Sequence, residues 1–115
     1  EAQTFGVERF EVVIVDDAST DNTREVLDEL AQGSTLRLRV VGLDQNRGRA
    51  GGRNVGWRAA AAPIVAFTDD DCAPAPDWLQ SGFDGLVTAH HHQQRRSNRR
   101  SNACDMRQRL TRLFS

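Results

Sequence analysis

A chain of 115 residues, 38% of them hydrophobic and with two Trp, supports one small core and a single domain. No apolar run approaches the roughly 20 residues that span a bilayer, and nothing in the polar opening Glu1-Ala2-Gln3 resembles a signal peptide. The formal charge of −1 conceals a split: 8 Arg and 15 acidic residues leave residues 1–89 at −7, whereas 7 Arg and one acid, Asp105, leave residues 90–115 at +6.

Residues 10–15 (FEVVIV) form a nearly continuous apolar run, the pattern of a strand covered on both faces. Asp21-Asn22-Thr23 suits a helix N-cap. Residues 24–31 then place Val26, Leu27 and Leu30 on one stripe, and Gly33 is a natural stop. In residues 36–41 (LRLRVV), Leu36, Leu38 and Val40 alternate with Arg37 and Arg39, as in a strand with one more exposed face near a sheet edge. A second helix is predicted from about Gly48 to Ala62, ending at Pro63. Its glycines, Gly48, Gly51, Gly52 and Gly56, each cost about 1 kcal/mol relative to Ala; such a cost is tolerated where backbone must approach a ligand or a strand closely. Residues 64–67 (IVAF) repeat the buried-strand pattern, and a third helix opens at Pro76-Asp77 and carries Trp78, Leu79, Phe83, Leu86 and Val87. This alternation implies an α/β fold with a parallel sheet. Beyond Ala89 it stops. Residues 90–102 (HHHQQRRSNRRSN) are polar and of low complexity, so disorder is expected there, and a short basic helix through Met106, Leu110 and Leu113 is the reading of residues 104–115.

Three constellations carry chemistry. Asp16 and Asp17 follow the first strand, and in open α/β sheets ligands bind at the carboxyl ends of strands. A carboxylate there can accept hydrogen bonds from a nucleobase imide or a ribose hydroxyl. Helix capping accounts for Ser19 or Asp21 but does not require both preceding acids. Asp69-Asp70-Asp71 follow the third strand. Three consecutive carboxylates repel one another, and a hard divalent cation such as Mg²⁺ relieves this while bridging to substrate phosphates. Residues 46–54 (NRGRAGGRN) bring glycines and helix N-terminal amides next to arginines, an arrangement that suits an anion. The spacing is neither the phosphate loop GxxxxGK[ST] nor a clean GxGxxG. Close helix–sheet packing with solvated arginines explains it equally well.

Together, residues 10–21 (FEVVIVDDASTD), 46–56 (NRGRAGGRNVG) and 66–79 (AFTDDDCAPAPDWL) resemble the family 2 glycosyltransferases, over about residues 3–89. The resemblance implies a partial Rossmann-like parallel sheet with flanking helices, the A-type glycosyltransferase fold. It places a nucleotide-sugar-binding domain at residues 1–89 and a basic tail at 90–115. By the same resemblance Asp16 or Asp17, with Asp17 preferred, contacts the base of a nucleoside diphosphate. Asp69 and Asp70 contact the nucleotide, Asp69 and Asp71 hold Mg²⁺ or Mn²⁺, and Gly48, Arg53 and Asn54 line the nucleotide pocket. The implied partners are a nucleotide diphosphate sugar and an acceptor that is a saccharide, lipid or protein, with inversion at the anomeric carbon. The family begins with a strand and helix before the equivalent of Gln3, the strand lying centrally in the sheet. Its acceptor half, which carries the general base, follows near residue 90. Neither is found here, so the chain reads as truncated at both ends, inactive by itself, and with unpaired strand edges.

Two other readings compete. One is a nucleotide-binding module without turnover. The other is a nucleic-acid-binding arm built on the 7 Arg of the tail, disfavoured because Phe114 is the only aromatic there to stack on a base. Cys72 and Cys104 lie far apart without metal-ligand spacing, which favours free thiols and a reducing, cytoplasmic setting. The resemblance allows the full-length protein to sit at a membrane face.

Overall fold

A computed structural model describes residues 3–97 and 110–114. A 3-10 turn, Val7–Arg9, leads into β1 (Phe10–Asp16), followed by α1 (Thr23–Gly33), β2 (Arg37–Gly42) and α2 (Gly48–Ala59). Then come β3 (Ile64–Thr68), α3 (Trp78–Ser97) and β4 (Leu110–Phe114). The four strands form one sheet in the order β2-β1-β4-β3, and every pairing is parallel.

Alternation along β1 sorts its side chains onto two faces. Phe10 and Val12 join Phe5, Leu79 and Phe83 in the main core, with Leu36, Leu38, Ile64 and Ala66 packed around it. That face belongs to α3, whose Leu79 and Phe83 recur at the helical spacing of four. Val13 and Val15 are also buried, on the opposite face of β1, where α2 packs against β1 and β4. The buried residues of α2 are Gly52 and Gly56, which share one helix stripe. Lacking side chains there, the helix backbone can lie close to the sheet. Each fully buried Phe, Leu or Val contributes about 1.5–3 kcal/mol, and Phe5, Leu79 and Val13 have at most 1% of their surface exposed.

Helix α2 is fastened to the sheet at both ends. Beyond its C-terminus the Ala61 N–H donates to Glu11 Oε1 at 2.7 Å, and the Arg39 guanidinium donates to the Ala59 carbonyl. At its N-terminal end the Arg47 N–H donates to Asp17 Oδ1 at 2.7 Å.

Several expectations need correction. The apolar stripe expected on α1 is present but largely open, with Val26 53% and Leu30 49% exposed. Strand β3 stands at the edge of the described sheet and is not covered on both faces, because Phe67 is 42% exposed. The polar stretch after Ala89 does not end the third helix, because α3 continues to Ser97 and runs across the expected boundary at residue 89. Residues 90–97 contain neither Gly nor Pro, and extending a formed helix avoids the cost of nucleation. Residues 110–114 form a strand, not a basic helix, and β4 takes the central place between β1 and β3. In that slot its backbone hydrogen-bonds on both sides, with Phe10 and Ile64 both opposite Leu110 and with Ile14 and Thr68 both opposite Phe114. An isolated helix of about 12 residues is marginal in water, whereas the slot satisfies two strand edges at once. The unpaired edges expected in mid-sheet therefore do not occur. The remaining residues of the expected disordered stretch, 98–102, lie outside the described residues, as does Cys104.

Candidate functional site

All the singled-out carboxylates stand at the carboxyl end of the sheet. The β1 ladder extends one bond past the strand, from the Leu43 N–H to the Asp16 carbonyl. Asp16 is 7% exposed, and its Oδ1 accepts hydrogen bonds from the Ser19 N–H at 3.1 Å and from the Ser19 hydroxyl. This side chain closes the turn in which Ala18 adopts φ of 59°. Asp17, half-buried, spends one oxygen on the Arg47 N–H, while its backbone carbonyl accepts from Asn46 Nδ2 at 3.4 Å. Asp21 lies further along the loop. The Thr23 hydroxyl and N–H, both donating to its Oδ1, hold its carboxyl below the usual range.

Across the mouth of α2, Asn46 Oδ1 accepts from the Gly48 N–H at 3.0 Å, and Gly48 has φ of +69°. That left-handed turn is where a side chain would cost most. Five residues on, exposed Arg53 reaches β3: its Nη2 lies 3.0 Å from Asp69 Oδ1, and its guanidinium sits 6.0 Å from the Phe67 ring centre. Asn54, also exposed, is the next residue of the helix. Ile14 of β1 and Thr68 of β3 are level across β4. Two inter-strand steps of about 4.8 Å separate them, and Asp17 and Asp69 follow in the loops that leave these two strands.

Asp69 is half-buried, and Asp70 and Asp71 are exposed. Oxygens of Asp69 and Asp71 and the Cys72 sulfur lie within 4.8 Å of one another. These residues could hold a divalent cation. The two carboxylates suit Mg²⁺ or Mn²⁺, whereas the thiol is a soft donor ill matched to either. Asp70 is not in this group. Asp69 borders a cleft of about 440 Å³ lined also by Arg53, Phe67, Thr68, Cys72 and Trp78 among others, within the range that holds small ligands. A cavity at the amino ends of the strands, lined by Glu8, Phe10, Arg37 and Ala61 among others, has about 70 Å³ and is too small for a nucleotide.

Sequence reasoning missed Phe67, Cys72 and Trp78 as lining residues, although Cys72 directly follows the acidic run and Phe67 stands two residues before it. It also missed Arg53's attachment to Asp69, which depends on how α2 lies over the sheet. The tail arginines lie among residues whose side chains are not described. Among the described residues, no helix is long and apolar enough to cross a membrane.

The family model for glycosyl transferase family 2 matches residues 2–102. The glycosyltransferase AglE of Haloferax volcanii is 32% identical over 74% of this chain and 28% of its own length. A validoxylamine A glucosyltransferase of Streptomyces hygroscopicus is 41% identical over 76% of this chain and 20% of its own. The crystal structure of S. aureus TarS 1–349 in complex with UDP superposes with a TM-score of 0.66 at 33% identity, covering 78% of this chain and 26% of that one. The chain thus spans between 20% and 28% of the length of these relatives. It has the A-type glycosyltransferase fold, and with a family model matching nearly all its length, the chain belongs to glycosyl transferase family 2.

Proposed function

We propose that this chain binds the donor, a nucleoside diphosphate sugar, for transfer of the sugar to an acceptor hydroxyl with inversion at the anomeric carbon. One observation carries the reading: Asp69, paired with Arg53 on the wall of a ligand-sized cleft at the strand ends, shares a cation-sized donor group with Asp71. The UDP bound by TarS supports a nucleoside diphosphate as the ligand.

In this reading the free oxygen of Asp17 receives the base, Gly48 and Asn54 border the nucleotide, and Asp69 and Asp70 take ribose or phosphate contacts. Asp69 and Asp71 would also hold Mg²⁺ or Mn²⁺, which when bound offsets charge developing on the departing diphosphate. Arg53 supplies a cation in the same place, and Phe67 and Trp78 contribute aromatic surface to the cleft wall. The general base that deprotonates the acceptor lies outside this chain, and the acceptor is a saccharide, lipid or protein.

Calorimetry with UDP or GDP, with and without Mn²⁺, tests the assignment. Asp71→Asn should weaken the metal-dependent part of the affinity about tenfold or more, since even residues that only orient a metal ligand cost that much. Unchanged metal-dependent affinity in the variant would remove Asp71 from the site.

A further inference from the structure

We propose that Arg53 is the resident cation of this site: it neutralises Asp69 in the absence of metal and must leave that carboxylate, for the diphosphate, before the metal binds well. The inference rests on the reading of Asp69 and Asp71 as metal ligands. Its consequence is that nucleotide and metal favour each other's binding, and that metal alone binds about two- to fivefold more weakly than it would without Arg53.

The geometry supplies each step. Arg53 Nη2 occupies Asp69 Oδ1 at 3.0 Å, and Asp69 belongs to the same donor group as Asp71. An incoming divalent cation would meet both an engaged carboxylate oxygen and a positive charge beside it. A guanidinium cannot lose its proton to relieve that clash, so it has to move. The backbone is not free to carry it, because α2 is tied to the sheet through Asp17 at one end and through Glu11 and Arg39 at the other. The side chain therefore swings alone. It is 46% exposed and its partner 38%, so solvent screens the pair and the cost of parting is small. A diphosphate offers the guanidinium a better, bidentate partner. Nucleotide arrival would then free Asp69 for the metal.

Mn²⁺ binding without nucleotide, followed by the electron paramagnetic resonance of free Mn²⁺ and by calorimetry, tests this on the unaltered chain, Arg53→Gln and Arg53→Lys. Arg53→Gln should bind Mn²⁺ alone about two- to fivefold more tightly, the range set by an exposed ion pair. It should bind UDP in saturating Mn²⁺ more weakly. Arg53→Lys keeps the charge but not the fork, and should remain close to the unaltered chain for Mn²⁺ alone. Equal or weaker Mn²⁺ binding by Arg53→Gln, or undiminished UDP binding, would overturn the inference while leaving the metal site standing. If no chain bound Mn²⁺ although circular dichroism showed all three folded, the metal-site reading and this inference would fall together.

Discussion

Asp17 has one job in this structure and a second in the proposed function, and replacing it separates them. Its Oδ1 ties β1 to the start of α2 through the Arg47 N–H at 2.7 Å, while its other oxygen is the proposed acceptor for the base. A hydrogen bond to a charged group contributes about 1.5–3 kcal/mol. Because Arg47 is exposed, water can replace the lost acceptor, so Asp17→Ala should cost nearer ~1 kcal/mol. For a domain of this size that lowers Tm by about 4–8 °C. Asp17→Asn retains an oxygen for Arg47 and should cost less than half as much. The nucleotide is affected differently. Losing a charged acceptor for the base should weaken UDP binding about ten- to hundredfold, with and without metal, and Asn should not restore it fully. Differential scanning calorimetry and isothermal titration on the two variants read the two effects separately. An Asp17→Ala chain with unaltered Tm would refute the tether. One that lost only the metal-dependent part of UDP binding would exchange the roles given to Asp17 and Asp71.

Gly48→Ala forces a side chain into φ of +69° and should cost about 1–2 kcal/mol, seen as a lowered Tm; an unchanged Tm would mean that the turn relaxes freely. Asp21 has its carboxyl lowered by Thr23, so its stabilising contribution is present above the unfolded value of about 3.9 and is lost as pH falls through the lower folded value. Asp21→Asn should flatten the loss of stability below about pH 4, and acid titrations that superimpose for the two chains would count against this contact.

The elements that position the site were legible because their signals are local. The apolar run of β1, the alternation of β2, the glycines of α2 and the acids after two strands mark both the sheet and its binding end. Where sequence reasoning failed, the deciding contact was distant in the chain. Leu110–Phe114 reads as a weak helix by itself and becomes a strand because β1 and β3 offer two edges. Val26 and Leu30 form a stripe that the sequence cannot show to be left exposed. Phe5, fully buried against Phe10 and Phe83, stands in no periodic pattern, and its place depends on the Thr4 N–H meeting the Pro76 carbonyl. In the site, two adjacent aspartates look alike in sequence, yet Asp16 closes a turn onto Ser19 and Asp17 reaches α2. Only the packing of α2 tells them apart.

The proposal that a metal and a nucleoside diphosphate share the acidic end of the sheet is tested most directly by paramagnetic broadening. Mn²⁺ added with UDP to the isotope-labelled chain should broaden the amide signals of residues 68–72 first, then those near Arg53, and should spare the amino ends of the strands around Glu8, Arg37 and Ala61. Broadening centred elsewhere, or none with UDP bound, would contradict the assignment of Asp69 and Asp71 as the ligands.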